Sequence, residues 1–367
     1  MMSGPGRTRA HHPSLVCLLG SLVCLILGSP RPAAAQAPGW EREGLAGREV
    51  RALALTPDSS AMMALTGGAR DPTPLWLRDA QGWSQPAGEA PGFILALTPL
   101  PEGGLVLGTG RDISDQPGVF LLAGSPPAVR RMFEAEAIGA LAVAPGRGAS
   151  DLYAAAAPWA DRDAGSDLLR WDAAGGSWSV ILHGTLACDQ SPSYFRQIAI
   201  APSSASTLFA LEWCSASAAR QAQIWRSDDR GQTWQVLPRQ GGARALISTL
   251  AVDPTDPDVL YLAGPSQPGS PPAGLERSLD GGRTWSPKGD AVEGPTAIRT
   301  LLVDPRDPRR ILAGTEQGGV FSSGDRGETW HALTGLEGLR VRSLAIDETL
   351  GRLYAATSDG IWRLSLP

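Results

Sequence analysis

Residues 278–285 read SLDGGRTW, and the same pattern returns as SDDRGQTW at 227–234 and as SGDRGETW at 323–330. A Ser and an Asp two residues apart can fold their side chains back onto turn amides. The Gly that follows supplies the positive φ that a tight hairpin needs. Thr and Trp then suit the first positions of a returning strand. Each copy therefore predicts a hairpin turn between two antiparallel strands.

The pattern S-x-D-x-G-x-T-W resembles the Asp-box, or BNR repeat, of sialidases, sortilin-type receptors, xyloglucanase-type glycoside hydrolases and photosystem II assembly-factor propellers. The resemblance implies a β-propeller in which the box is a scaffold turn remote from the ligand. The box positions are Ser227, Asp229, Gly231, Thr233, Trp234, Ser278, Asp280, Gly282, Thr284, Trp285, Ser323, Asp325, Gly327, Thr329 and Trp330. A degenerate copy of the motif lies around Trp178 in the third repeat, and the second repeat lacks the motif.

Seven apolar stretches, each followed by a turn rich in Pro, Asp or small residues, set the number of blades. Their last residues are separated by 42, 46, 57, 52, 51 and 43 positions. Spacings of roughly 40 to 50 residues built from short strands are typical of propeller blades. The sequence thus predicts an all-β fold, a seven-bladed β-propeller with Asp-box turns.

The last repeat has only three strands before the chain reaches Pro367, whereas residues 39–45, with Trp40, have no blade of their own. We therefore predict that this N-terminal strand pairs with 360–364 and closes the ring, which removes the exposed edges. A six-bladed ring with a loose hairpin is the alternative. After a signal peptide at 1–35, a single domain at 36–367 is expected to hold blades at about 46–90, 91–134, 135–184, 194–240, 245–290, 296–335 and 340–367 together with 39–45.

The first 35 residues are typical of an export signal. Arg7 and Arg9 precede an apolar run at 15–27, and the small residues 33–35 suit cleavage after Ala35. The run is shorter than the roughly 20 residues of a membrane span, although retention as an anchor is an alternative. We expect an exported protein (secreted, periplasmic or at the cell surface) with no membrane span after cleavage.

Charge narrows the classes of partner. The formal net charge is −5, and loss of the three arginines before Gln36 would take it to −8. This balance disfavours non-specific nucleic-acid binding. Cys188 and Cys214 are the two cysteines after the signal, and two cysteines in an exported chain predict one disulfide, with unlinked buried thiols as the alternative.

Candidate binding residues lie in the loops that join one blade to the next and the second strand to the third. Rigid scaffolds concentrate binding residues in such loops. Alignment of the first strands puts Arg51, Arg196, Arg299 and Arg342 at one equivalent position near the channel mouth. Either they form an anion site, or each pairs locally with a carboxylate such as Glu293, Glu316 or Asp359.

Trp159, Trp213 and Tyr194 belong to the same loop group, and they either form a platform for sugar or protein or pack against the blades. For a sialidase, the resemblance would require an Arg-Ile-Pro motif and six blades. The sequence contains no Arg-Ile-Pro and predicts seven blades. Loop acids (Asp112, Asp115, Asp161, Asp163 and Asp189) could supply an acid/base couple at a separation of roughly 5 to 9.5 Å. Solvated loop carboxylates are far commoner.

We predict a binding or assembly module, expected as a monomer, that recognises a protein or other macromolecular partner through these loops. No catalytic residue, metal site or cofactor is predicted. A glycan-binding or glycoside-hydrolase-like propeller is the alternative. Among the resembling families, the photosystem II assembly factors are nearest in size, blade count and export.

Overall fold

A computed structural model gives the fold. It describes residues 39–56, 58–67, 74–86, 93–110, 117–124, 128–135, 137–144, 151–157, 166–185, 193–214, 222–238, 247–264, 275–288 and 297–366. These residues form seven four-stranded antiparallel sheets. The prediction of a seven-bladed all-β propeller is confirmed. The predicted signal peptide lies outside the described residues, and the propeller lies within the compact unit Pro38–Pro367.

Each blade runs from an inner first strand to an outer fourth strand. The first strands are β2 (Val50–Leu55), β6 (Phe93–Pro99), β10 (Ile138–Val143), β14 (Ser193–Ala201), β18 (Thr249–Val252), β22 (Ile298–Val303) and β26 (Val341–Asp347). The second are β3 (Met62–Thr66), β7 (Leu105–Gly110), β11 (Leu152–Ala156), β15 (Ser204–Cys214), β19 (Leu260–Ala263), β23 (Ile311–Thr315) and β27 (Arg352–Thr357).

The third strands are β4 (Leu75–Asp79), β8 (Gly118–Ala123), β12 (Asp167–Asp172), β16 (Ala222–Ser227), β20 (Glu276–Ser278), β24 (Val320–Ser323) and β28 (Gly360–Ser365). The fourth are β5 (Gly82–Ser84), β9 (Ala128–Glu134), β13 (Ser177–His183), β17 (Gln235–Val236), β21 (Ser286–Pro287), β25 (His331–Leu333) and β1 (Glu41–Gly44). In blades 4, 5 and 6 the box Trp directly precedes the fourth strand, in which the sequence had placed it.

The core lies between the blades. The second strands are buried almost throughout, as in MMALT of β3 and ILAGT of β23, because neighbouring blades cover both of their faces. The first strands contact those of the adjacent blades around the channel. Seven apolar clusters result, one for each blade-to-blade interface.

The N-terminal strand closes the ring as predicted. In β1, Glu41 pairs in register with Arg363, and Arg42 pairs with Trp362 of β28. The Arg42 guanidinium donates to the Asp359 carboxylate at 2.8 Å and lies 4.3 Å from the centre of the Trp362 ring. The carboxylate of Glu43, 3% exposed, bridges Arg363 (3.1 Å) and Arg78 of blade 1 (2.5 Å). The closing strand is thus tied to both blades beside it.

The three box turns share one hydrogen-bond pattern. In blade 5, the Ser278 hydroxyl donates to Asp280 Oδ1 (2.8 Å) and accepts from the Gly282 amide (2.8 Å). Asp280 accepts from the amide and hydroxyl of Thr284 at 2.8 and 2.6 Å. Gly282 has φ +87°, and the Trp285 indole donates to its carbonyl at 3.1 Å. The left-handed conformation explains the glycine at this position.

The box turns and the turns between first and second strands lie on one face of the ring. The backbone shows it in three blades, since Arg230 N donates to Ser206 O (3.0 Å), Gly281 N to Asp258 O (2.9 Å) and Arg326 N to Arg309 O (2.9 Å). We call this side the box face. The opposite side, where each first strand begins and each second strand ends, is called the rim face.

Candidate binding rim

The first strands enter the ring through a β-bulge. The pairing with the second strand shifts by one residue between Val50 and Ala52 in blade 1, and the same shift recurs in five other blades. In blade 5, Ser248 and Thr249 both oppose Ala263. The bulged residues are Arg51, Leu95, Gly139, Arg196, Ser248, Arg299 and Arg342. All four predicted arginines therefore occupy bulges, which redirect a side chain away from the regular pleat.

Two glutamates, Glu316 of blade 6 and Glu49 of blade 1, join arginines of blades 6 and 7 into a chain of ion pairs. Arg299 Nε lies 2.5 Å from Glu316 Oε2, and Arg340 Nε lies 2.6 Å from Glu316 Oε1. Arg340 Nη1 reaches Glu49 Oε1 at 3.4 Å, and Arg342 Nη2 reaches the same oxygen at 2.9 Å. We call this chain, with Arg51, the arginine rim. Its side chains are between 24 and 37% exposed where these pairs form.

The charges of the rim perturb one another. Burial by itself would raise the pKa of Glu316, but hydrogen bonds from Arg340 and Arg299 lower it overall. The pKa of Arg340 is raised, chiefly by its hydrogen bond to Glu316. The pKa of Arg51 is lowered, first by burial and then by the charge of Arg342. Arg51 and Arg342 therefore repel each other between blades 7 and 1, an effect that the charge of Glu49 partly offsets and that an added anion would reduce further.

Arg196 belongs to a separate group. Its guanidinium lies 4.8 Å from the centre of the Trp213 ring, and Nε donates to the Ser248 carbonyl at 3.4 Å. Tyr194 meets Trp213 edge-on at 5.7 Å. Burial raises the pKa of Tyr194, although Arg196 acts against it. Trp213 also packs against the cluster between blades 4 and 5, so much of this indole is already covered.

Several predicted residues lie outside the described part of the chain: Trp159, Cys188, Glu293, Asp112, Asp115, Asp161, Asp163 and Asp189. Cys214 is fully buried at the rim end of β15 and is disulfide-bonded. Its pairing with Cys188 stays a prediction. Asp359, offered as a partner for a bulge arginine, instead accepts from Arg42 and from the Gly47 amide.

Glu212, on the same strand as Trp213, is fully buried. It accepts from the Ser193 hydroxyl at 2.5 Å and from the Trp225 indole at 2.8 Å. These hydrogen bonds fix the start of β14 and are structural. Glu212 is therefore not an acid that a ligand can reach.

Sequence reasoning missed Arg340 and Glu49, which carry the continuity of the rim. The motif 340–342, Arg-Val-Arg, was a usable signal, because alternate residues on a strand share a face. Glu49, two residues before Arg51, gave no such sequence signal, because its arginine partners lie 291 and 293 positions away along the chain.

The described ranges contain no group of three or more His, Cys, Asp or Glu side chains arranged to hold a metal ion. They also contain no helix with the length and apolarity that crossing a membrane requires.

Comparison with known proteins places the chain near two groups of propellers. It is 28% identical over 176 residues to an oligoxyloglucan-reducing end-specific xyloglucanase of Emericella nidulans, and the aligned region covers 45% of this chain and 21% of that protein. A xyloglucanase of a Paenibacillus species is 35% identical over 98 residues, or 24% of this chain and 10% of that protein. The human VPS10 domain-containing receptor SorCS2 is 26% identical over 113 residues, covering 31% and 9%.

The chain thus matches about a fifth or less of the length of these relatives, and no protein-family model matches it. Both groups are among those that the box motif resembled, so the predicted resemblance to BNR-type propellers is confirmed.

Proposed function

We propose that this chain is an exported, monomeric binding module that recognises an acidic segment of a protein partner through its rim face. The observation that supports the proposal is the arginine rim, in which three guanidiniums (Arg299, Arg340 and Arg342) share two carboxylates across three consecutive blades. The whole chain is acidic, at −5. A concentration of positive charge at the mouth of its channel is therefore a local departure from the average.

The two glutamates of the rim order its arginines, and they also compete with a ligand's carboxylates for the same donors. Glu316 and Glu49 each hold two guanidiniums, so these side chains are already ordered before a partner arrives. Guanidiniums recognise carboxylates through paired, planar hydrogen bonds. Because the rim is partly exposed, a partner's carboxylates can reach it without unfolding the loops. Association would be steered by charge and weakened by salt.

A peptide titration tests the proposal. Calorimetry with a hexaglutamate peptide is expected to detect binding to the wild-type chain at low salt. Replacement of Arg51, Arg299 and Arg342 by Gln together should weaken it at least tenfold. The matched control removes three arginines from the box face, Arg230, Arg283 and Arg309, and should leave affinity within about twofold. Equal losses in both triple variants, or no binding by the wild type, would refute recognition by the rim.

A second candidate is glycan binding, favoured by the named xyloglucanase relatives and by the Tyr194–Trp213 pair on the rim face. Burial of much of the Trp213 ring argues against it. Incubation with xyloglucan, followed by a reducing-sugar assay, separates the two: turnover, or oligosaccharide binding lost in Trp213→Ala, would replace the protein-binding proposal.

Export is the remaining part of the proposal. It is supported by the arginines, apolar run and small residues of 1–35. N-terminal sequencing of the protein purified from its cells should begin at Gln36. A chain that still carries residues 1–35 would contradict cleavage.

A further inference from the structure

One position is tryptophan in six of the seven blades. It is the residue that faces the end of the third strand, as Trp83 faces Arg78 in blade 1 and Trp178 faces Trp171 in blade 3. In the other four blades that carry this tryptophan, extending the pairing of the third and fourth strands by one residue places the tryptophan opposite the equivalent third-strand position. The six residues are Trp40, Trp83, Trp178, Trp234, Trp285 and Trp330.

Each of these indoles packs against the preceding blade. Trp83 lies against Gly44 and donates to the Glu43 carbonyl (3.4 Å) in the fourth strand of blade 7. Trp40 donates to the Leu333 carbonyl (3.1 Å) in the fourth strand of blade 6. The ring of Trp178 lies 5.8 Å from that of Phe133 in blade 2. Six interface clusters accordingly contain one of the six tryptophans.

The interface between blades 1 and 2 differs. In blade 2 the equivalent third-strand residue is Leu122, and the residue facing it is Val129, which is 42% exposed. The described core cluster of this interface holds no tryptophan. A cleft of about 410 Å³ opens there instead, lined by Met63, Leu77, Ser84, Pro86, Leu105 and Leu122 among others. Its walls combine the fourth strand of blade 1 with the third-strand end of blade 2, the two elements that an indole joins elsewhere.

We propose that this cleft is a binding site for a tryptophan side chain displayed by a partner polypeptide. The volume falls within the roughly 300 to 1,000 Å³ of small-ligand pockets. Met63, Leu77, Leu105 and Leu122 supply apolar contacts, as their counterparts do for the resident indoles. The site lies on the box face and is distinct from the arginine rim.

The hydrogen bond of the guest indole can also be assigned. Trp83 and Trp40 donate to a carbonyl three residues beyond the tryptophan of the preceding blade, Glu43 after Trp40 and Leu333 after Trp330. The same count from Trp83 leads to Pro86, which lines the cleft. Since proline retains its carbonyl acceptor, the guest N–H would donate to Pro86 O. An indole should therefore bind better than a phenyl ring.

The test measures, by calorimetry, the binding of the peptide Ac-Gly-Trp-Gly-NH2 to the mature chain. Binding with one site is expected, at least tenfold tighter than the same peptide with Phe. Val129→Trp should fill the cleft, abolish binding and raise the Tm; Val129→Phe, which needs less room, should weaken binding at least fivefold. Val236→Trp, at an exposed position on the fourth strand of blade 4, is the matched control and should bind as wild type.

Trp83→Val supplies an independent measurement, because it removes a resident indole. A second peptide site is expected between blades 7 and 1, detectable as a doubled stoichiometry. Absence of peptide binding to the wild type would overturn the proposal. So would retention of binding in Val129→Trp, or binding of free indole without binding of the peptide, which would mark a small-molecule site.

Discussion

The two faces of the propeller use polar side chains in opposite ways. On the box face, three blades repeat the same hydrogen bonds, with Ser-to-Asp distances of 2.8 Å in each and Thr hydroxyl-to-Asp distances of 2.5 to 2.6 Å. On the rim face, one bulge position carries Arg in four blades and Leu, Gly or Ser in the others. Repetition serves a geometry that every blade shares, whereas variation distinguishes one sector of the ring.

Blade 2 is the sector of the box face that departs from this repetition. Its box-face turn has Leu122 where Ser227, Ser278 and Ser323 begin the motif, and Val129 where they end in Trp. A face built by repetition therefore has one sector that departs from the rule. If repetition marks the scaffold, substitutions on the box face of blades 4 to 6 should cost stability, and substitutions on the rim should change binding.

The largest loss of stability is expected from Gly282→Ala in a box turn. A Cβ there would lie 2.4 Å from Leu237 Cδ1 on the preceding blade, at a φ of +87°. Left-handed backbone costs about 1 to 2 kcal/mol for a non-glycine residue and overpacking about 1 to 3 kcal/mol, so the free energy of unfolding should fall by about 2 to 5 kcal/mol. Urea denaturation measures it.

Gly338→Ala is the matched control for that prediction. Gly338 has φ +81° with nothing within 4 Å of the added Cβ, so only the backbone strain of about 1 to 2 kcal/mol applies. Equal losses in the two variants would show that blade contact at the box glycine contributes nothing. Binding of hexaglutamate should be unchanged in both.

A smaller effect is expected from pH. The Thr284 hydroxyl and amide lower the pKa of Asp280 to about 2 from a model-peptide value of 3.8, and Thr233 does the same for Asp229. A carboxyl whose folded pKa is depressed contributes stability above its unfolded pKa and loses it as pH falls through the folded one. The Tm should therefore fall between about pH 4 and 2.

Asp280→Asn sharpens this prediction, because it removes the titrating group but keeps the shape. The variant should have a lower Tm at pH 6 and a shallower decrease of Tm between pH 4 and 2 than the wild type. Glu337→Gln, whose exposed carboxylate accepts from the Gly335 amide, is a control outside the box turns. Parallel acid limbs for Asp280→Asn and the wild type would contradict the assignment.

The box turns and the closed ring were open to prediction because their causes are local or periodic. Ser278, Asp280, Gly282 and Thr284 bond within one octapeptide, and the strands recur at blade spacing. The arginine rim was only partly predictable: spacing aligned the bulge arginines, but Arg340 and Glu49 meet only after the ring closes.

The cleft beside Val129 was even less predictable from the sequence. The sequence showed that blade 2 lacks the motif, but a missing tryptophan implies a space only once Trp83 and Trp40 are seen packing against the blade before them. The pairing register that places Val129 opposite Leu122 cannot be derived from the sequence alone.

The smallest change in stability is expected at the rim, from Glu316→Gln. Its pairs with Arg299 and Arg340 are partly exposed, and such pairs contribute about 0 to 1 kcal/mol. Binding should respond more, because the variant frees two guanidiniums from a competing carboxylate and adds one net positive charge to the arginine rim. Affinity for hexaglutamate should rise severalfold. Glu41→Gln makes the same charge change beside Arg363 in the closing strand and should leave affinity unaltered. A gain of equal size in both variants would attribute binding to net charge alone, and a loss in Glu316→Gln would mean that the rim needs Glu316 to hold its arginines in place.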